Sequence, residues 1–244
     1  MQRIKLELSY DGNYFNGFQR QKDNNHCKTV AGSIEESLKR LGIESCIVGA
    51  GRTDAGVHAF GQVAHCDIPL FWNDFTKLTS YLNTMLHPHI HIKYITTMKD
   101  SFHARFSAKK RLYRYLIYDG TYQPFLSSYA LHVKNLEVSV LHHFTQLFTG
   151  THDFGFIKKE GGGATQDVRT LYKAGAYRYN NCYVIYFLGD AFLRSQVRMM
   201  VYLILQACEG KLSKEQLLEQ RDKKKKHTTH LSPPCGLYLS RIYY

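Results

Sequence analysis

Apolar and polar residues alternate at the start of the chain, which predicts a half-buried β-strand. Ile4, Leu6 and Leu8 share one face, and charged or hydroxyl side chains occupy the positions between them. A period of two residues is that of a strand, because successive side chains point to opposite sides. A turn signal at residues 10–13 ends the pattern.

The remaining segments alternate between helical and extended patterns. Helices are predicted at residues 33–41, 74–85, 138–148 and 194–208, and Ser213 opens another with the spacing of a capping box. Strands are predicted at residues 45–48, 62–68, 89–96, 112–118 and 237–243, with a hairpin over 177–188 that turns at 180–181. The order predicts a mixed α/β or α+β fold with a largely antiparallel sheet. We expect an N-terminal subdomain at 1–105 and a C-terminal subdomain at 106–244.

Composition and charge indicate the class of binding partner and the cellular compartment. The 244 residues include 32 Lys and Arg against 20 Asp and Glu, a formal charge of +12. Such a basic globular chain favours a polyanionic partner, with nucleic acid first and an anionic membrane surface second. No stretch approaches the length of a membrane span, and no export signal is evident. The six cysteines are dispersed without a Cys-x-x-Cys pair, which predicts reduced thiols and a cytoplasmic protein.

The stretch GAGRTDAGVHAFGQ at residues 49–62 is the strongest candidate for chemistry. Its four glycines permit close approach of another backbone or of a ligand. A single carboxylate, Asp54, lies in the middle, with Arg52 two residues before it. The flanking segments are predicted strands, and catalytic groups often lie on loops that a rigid scaffold positions. On these features alone, a simple turn in which Asp54 bonds its own backbone remains an alternative.

Five separated blocks carry a resemblance to a known family. GRTDAGVH at residues 51–58 resembles the signature of the TruA family of tRNA pseudouridine synthases. The other blocks are SYDG at 9–12 with GFQRQ at 17–21, FHARFSA at 102–108 with YRY at 113–115, AFLRSQVR at 191–198, and GLYL at 236–239. They span nearly the whole chain in the family's order, which is far more specific than one motif.

The resemblance implies a fold, a reaction and partners. It implies the α+β pseudouridine synthase fold, with two α/β subdomains around a cleft and a continuous, mainly antiparallel sheet. It implies a homodimer that isomerises uridine to pseudouridine in the anticodon arm of tRNA, at positions 38–40. The reaction detaches the base from its sugar, rotates it and rejoins it through carbon. Because nothing is oxidised and no group is imported, we expect no cofactor and no metal.

The resemblance also implies roles for four residues. Asp54 corresponds to the catalytic aspartate, acting either as a nucleophile or as a base. Arg198 corresponds to the active-site arginine, expected to hold Asp54 ionised. Tyr113 corresponds to the tyrosine that meets the target base, and Arg52 to the arginine that assists base flipping.

Three other features suggest sites less strongly. His87, His89 and His91 have the spacing of strand-borne metal ligands, but Pro88 interrupts them and no fourth ligand is near. The triple glycine at 161–163 lacks the Gly-Lys-Ser/Thr ending of a phosphate loop. The lysines at 223–226 fit a solvated helix end and a phosphate contact equally well.

Three rival functions remain. A synthase of the same chemistry could act on a different RNA. A non-catalytic RNA-binding module would use the aromatic residues and basic surface, but such a module has no need of a carboxylate such as Asp54. A glycosidase or nucleoside hydrolase generally needs a second catalytic carboxylate, and the sequence offers no good partner for Asp54.

Overall fold

The computed structural model describes residues 1–20, 28–161 and 166–244. The strands are β1 Gln2–Tyr10, β2 Val48–Gly49, β3 His58–Ile68, β4 Ile90–Met98, β5 Lys110–Tyr118, β6 Leu131–His132, β7 Gly150–Asp153, β8 Val168–Tyr179, β9 Cys182–Gly189 and β10 Leu237–Tyr243. The helices are α1 Val30–Arg40, α2 Phe75–Leu86, α3 Val138–Gln146, α4 Gln196–Cys208 and α5 Lys214–Arg221.

The chain forms two compact units. The first comprises Met1–Lys109 together with Tyr238–Tyr244, and the second comprises Lys110–Leu237. The last strand joins the first unit because Tyr238 and Leu239 pair in parallel with the start of β3. The sequence-based division at 105/106 instead assigned that strand to the C-terminal half.

The first unit has strand order β4-β1-β3-β10, with β2 beside β3. β1 pairs antiparallel with both β3 and β4. Ile4, Leu6 and Leu8 are fully buried, so the predicted period-two strand is confirmed. Burial of each such side chain stabilises the fold by roughly 1.5–3 kcal/mol. Helix α2 packs against β4, and α1 packs against α2.

The second unit has strand order β5-β9-β8-β7, with β6 along the edge of β5. The hairpin of β8 and β9 pairs Tyr179 with Cys182. Its turn places Asn180 at φ +52°, a left-handed conformation that asparagine tolerates. Helix α3 packs on β8 and against α4. Both units therefore confirm a mixed α+β fold with mainly antiparallel strands.

Several boundaries differ from those predicted. β3 begins at His58 rather than at residue 62, so the segment taken as one loop over 49–62 is partly strand. α1 begins at Val30, because the hydroxyl of Thr29 caps the N–H of Gly32 at 3.2 Å. The capping box that opens α5 at Ser213 is confirmed. Among the described residues, no helix is long and apolar enough to cross a membrane.

A buried histidine ties the sheet of the first unit to the segment that follows β4. Nδ1 of His65, on β3, accepts the N–H of Ala104 at 3.1 Å. Burial, followed by His103 and Arg3, lowers the pKa of His65, while Asp67 opposes that shift. The neutral ring is thereby favoured, which Nδ1 requires to act as an acceptor.

Acid should destabilise the protein through His65. Its folded-state pKa lies below the unfolded value of about 6.5, so the unfolded chain binds the extra proton and stability falls as pH drops below that value. We expect the melting temperature of the wild type to fall more between about pH 7.5 and about pH 5.5 than that of His65→Gln, which cannot titrate. Equal losses in both proteins, measured by circular dichroism, would contradict this.

Candidate active site

The loop between β2 and β3 carries Asp54. Its side chain is partly exposed, Arg52 is exposed, and Thr53 between them is buried. The N–H of Val57 donates to the carbonyl oxygen of Asp54 at 3.2 Å, and Gly56 takes φ +75°. Asp54 therefore lies at the start of a tight turn that needs glycine.

Hydrogen bonds hold this loop from both sides. The hydroxyls of Thr53 and Tyr10 lie 2.8 Å apart and are buried, and the N–H of Phe18 donates to the carbonyl oxygen of Thr53 at 3.2 Å. On the other side, the amide of Gln62 donates to the carbonyl oxygen of Gly51 at 2.9 Å. These bonds fix the backbone immediately before Asp54.

Two glycines of the opening segment let its backbone reach the loop. A Cβ on Gly12 would lie 2.3 Å from the carbonyl oxygen of Val57. Gly17 has φ +92°, and its Cβ would lie 2.7 Å from the carbonyl oxygen of Thr53. Both obstacles are backbone atoms, so a side chain at either position must displace the Asp54 loop.

His58 follows the loop and closes the same contact. Its buried ring accepts the N–H of Gly12 through Nδ1 at 3.1 Å, and Nδ1 lies 3.3 Å from a carboxylate oxygen of Asp11. The ring stacks on Tyr238 with centroids 4.7 Å apart. These contacts make His58 a hydrogen-bonded structural group.

Tyr113 lies on β5 in the second unit. It is 7% exposed, and its ring meets that of Phe192 edge-on, with centroids 5.0 Å apart and planes at 78°. Phe192 belongs to the AFLRSQVR block. The packing holds the tyrosine ring in one orientation.

Arg198 lies on α4, where residues 232–233 clamp it. Its Nε donates to the carbonyl oxygen of Ser232 at 2.8 Å, and the N–H of Ser232 donates to the carbonyl oxygen of Arg198 at 3.1 Å. Tyr115 donates its hydroxyl to the carbonyl oxygen of Pro233 at 2.8 Å. Burial raises the pKa of Tyr115, so this donor stays protonated. These bonds hold Nε of Arg198 against the segment at residues 232–233.

Asp190 holds the segment that precedes α4 through hydrogen bonds, a role that the sequence did not reveal. One carboxylate oxygen accepts the N–H of Thr170 at 3.2 Å and that of Ala191 at 2.5 Å. Further along, the side chain of Gln196 accepts the N–H of Leu193 at 2.8 Å, and Ser195 takes φ +56°. No local pattern in the sequence singles out Asp190 for this role.

The histidines and lysines that suggested other sites take part in structural contacts. His89 stacks on Tyr14 with centroids 3.5 Å apart. Among the described residues, no three histidine, cysteine, aspartate or glutamate side chains are grouped to hold a metal. Lys223 pairs with Asp153 at 2.8 Å, and Lys226 lies over the ring of Phe156, whereas Lys224 and Lys225 are exposed. Most of the glycine-rich loop at 161–163 lies outside the described residues.

The structure places the predicted site residues in two groups. Arg52 and Asp54 share the braced loop of the first unit, and Tyr113 and Arg198 lie on β5 and α4 of the second. Leu237 and Leu239, which belong to the GLYL block, are both buried.

Comparison with known proteins identifies the family. Residues 8–107 and 144–244 match the family model for tRNA pseudouridine synthase. A protein of Campylobacter jejuni named tRNA pseudouridine synthase A is 38% identical over 244 residues, and one of Helicobacter pylori with the same name is 39% identical over 248 residues. Each alignment covers 100% of both chains. This chain belongs to the TruA family of tRNA pseudouridine synthases, which are isomerases.

Solved structures give a weaker likeness. A chain in the crystal structure of a Cbf5-Nop10-Gar1 complex aligns over 81% of this chain and 45% of its own, at 12% identity and a TM-score of 0.37. That score is too low to establish a common fold. The sequence resemblance and the enzyme class it implied are confirmed by the family match, while the roles of the four site residues stay predictions.

The contact at Gly12 should be required for activity. Gly12→Ala forces a Cβ into the backbone of Val57, so we expect a loss of about 1–3 kcal/mol in stability together with a large loss of pseudouridine formation per folded molecule. The matched control is Gly210→Ala, where φ is +69° and nothing lies within 4 Å of the new Cβ. It should cost about 1–2 kcal/mol through backbone strain alone and leave the rate unchanged. Equal activity in the two folded variants would contradict the role of this contact.

Proposed function

We propose that this chain isomerises uridine to pseudouridine in the anticodon arm of tRNA, at positions 38–40, with Asp54 as the catalytic residue. The observation that carries the proposal is the braced loop holding one partly exposed carboxylate within the GRTDAGVH block. The family match supports it, since the matched ranges include Asp54 and Arg198.

The proposed reaction leaves the composition of the RNA unchanged. The bond from N1 of the uracil to C1′ of the ribose breaks, the base rotates, and a bond from C5 to C1′ forms. The proton on C5 is lost to solvent, and N1 gains a proton. No oxidant, reductant or group donor enters, which fits our expectation that the chain uses no cofactor.

Asp54 has the properties that a nucleophile or a base needs. Its loop is fixed on both sides by hydrogen bonds to Gly51 and Thr53, so little reorganisation is needed when substrate arrives. The partial exposure of its side chain leaves the carboxylate accessible to a ribose or a base. Attack on carbon and removal of a proton both remain open for it.

The second unit is proposed to supply Arg198 and Tyr113 to the same reaction. Arg198 is held through Nε, and a fixed guanidinium is an effective partner for an anionic group. Tyr113 is held by Phe192, and we propose that it contacts the target base. Arg52, exposed beside Asp54, is proposed to assist extrusion of that base, a step that costs a few kcal/mol.

The partners follow from charge and chemistry. We propose that the chain acts as a homodimer on tRNA, a polyanion that its charge of +12 suits. We also propose a cytoplasmic location. The five described cysteines are free thiols, as expected in a reducing compartment.

Replacing Asp54 by asparagine should separate binding from turnover. Asp54→Asn keeps the size of the side chain but removes its charge and basicity, so the release of tritium from C5-labelled uridine in tRNA should fall by on the order of 10⁴-fold or more. Binding of tRNA, measured by filter retention, should change by less than about tenfold. The control is Asp74→Asn, because Asp74 caps α2 and asparagine caps a helix equally well.

Retained turnover in Asp54→Asn would overturn the assignment of the catalytic residue. Intact tRNA binding with no turnover in the wild type would instead favour a non-catalytic RNA-binding protein, or a synthase whose target is another RNA.

A further inference from the structure

The segment after β4 presents one exposed aromatic ring on a firmly held loop. Phe102 and Ala104 are buried, at 7% and 0% exposure, whereas Phe106 is 76% exposed. These residues belong to the FHARFSA block, to which we have given no role so far. The loop lies wholly within the first unit.

An ion pair holds the beginning of this loop. Arg3 and Asp67 face each other on β1 and β3 and form a two-pronged pair at 2.9 and 2.8 Å. The same guanidinium donates to the carbonyl oxygens of Asp100 and Phe102, at 2.5 and 3.1 Å. The side chain of Arg3 thus connects the sheet to the loop backbone.

The N–H and the carbonyl oxygen of Ala104 both form hydrogen bonds with side chains of the same unit. Its N–H donates to Nδ1 of His65 at 3.1 Å, and its carbonyl oxygen accepts the hydroxyl of Tyr244 at 2.8 Å. The ring of Phe102 packs against Tyr244 and meets His65 edge-on. The loop is therefore anchored two residues before the exposed ring.

The tip of the loop closes on itself. Nδ1 of His103 accepts the N–H groups of Arg105 and Phe106, at 3.2 and 3.3 Å. Ser107 accepts the N–H of His103 through its hydroxyl at 3.1 Å and donates its own N–H to the carbonyl oxygen of His103 at 2.9 Å. These four hydrogen bonds fix the backbone that bears Phe106.

Two neighbouring side chains contact the ring of Phe106. The His103 ring lies against it, with centroids 4.3 Å apart and planes at 31°, and the guanidinium of Arg105 lies 5.7 Å from its centroid. Phe106 nevertheless remains mostly exposed, so it contributes little to the core. The loop holds an aromatic face toward solvent at a defined position.

We propose that Phe106, backed by His103 and flanked by Arg105, is a stacking site for an unpaired nucleobase of the RNA substrate. The proposal rests on the proposed function and adds a binding contact outside the catalytic residues. A nucleobase matches the site because a single aromatic face suffices for stacking and a nearby cation suits the attached phosphate. A protein partner would need a far larger area, on the order of 800 Å².

The charges along this loop agree with an RNA ligand. Lys99, Arg105 and Lys109 are exposed along this loop, against one exposed carboxylate, that of Asp100. Cations beside a rigid aromatic ring are the features with which proteins bind single-stranded RNA.

The test compares three variants by filter binding of an unmodified tRNA transcript. Phe106→Ala should weaken the Kd by about 5- to 150-fold, the range of one stacked base, and Phe106→Trp should restore it. The matched control is Phe71→Ala, which removes another exposed phenylalanine, 70% exposed, from the same unit and should leave the Kd unchanged. The slope of log Kd against log salt should be the same in all variants, because stacking releases no counterions.

Single-turnover rates, measured with the protein in excess over tRNA, separate this contact from catalysis. Phe106→Ala should keep the wild-type maximal rate and reach it only at higher protein concentration. An unchanged Kd in Phe106→Ala, or a failure of tryptophan to restore binding, would overturn the proposal. So would a loss of self-association on sedimentation, which would make the ring a protein contact. Because filter binding reports the Kd whether or not the tRNA is converted, a wild type that binds tRNA but forms no pseudouridine would overturn the proposed function alone.

Discussion

The contact on which the first unit depends is the backbone packing of the opening segment against the Asp54 loop. Gly12 and Gly17 approach the carbonyl oxygens of Val57 and Thr53 so closely that no side chain fits. The N–H of Phe18 donates to Thr53, and His58 accepts the N–H of Gly12, so both bonds close the same contact. Two blocks that are separated by some 40 residues in the sequence are thus one structural unit. This arrangement explains why the loop that carries Asp54 needs the opening segment to keep its backbone in place.

The second unit holds its candidate residues by different means. Tyr113 is fixed by an aromatic neighbour and Arg198 by reciprocal bonds with Ser232. In each case a neighbouring group, rather than the secondary structure alone, sets the orientation of the functional side chain. Such supporting contacts are what preorganised sites require, since catalysis depends on reacting groups being in place before the transition state.

The sequence predicted features whose causes are local. The period of β1 and the capping box at Ser213 follow from residues within a few positions of one another, and both are confirmed. The start of β3 at His58 was missed because its first residues, His58 to Gly61, show no alternation of polar and apolar side chains. The start of β8 at Val168 was missed for a similar reason, since polar and apolar residues there follow no period of two. Likewise, the roles of Asp190 and His65 depend on partners distant in sequence, which no local pattern reveals.

The claim that ties these features together is that the protein makes pseudouridine at defined uridines of tRNA. The most direct measurement is position-resolved mass spectrometry of an unmodified tRNA transcript after incubation with the purified wild-type protein. We expect pseudouridine at positions 38–40, wherever the transcript has uridine there, and unmodified uridine elsewhere. A transcript that binds but contains no pseudouridine, or contains it only outside the anticodon arm, would contradict the account.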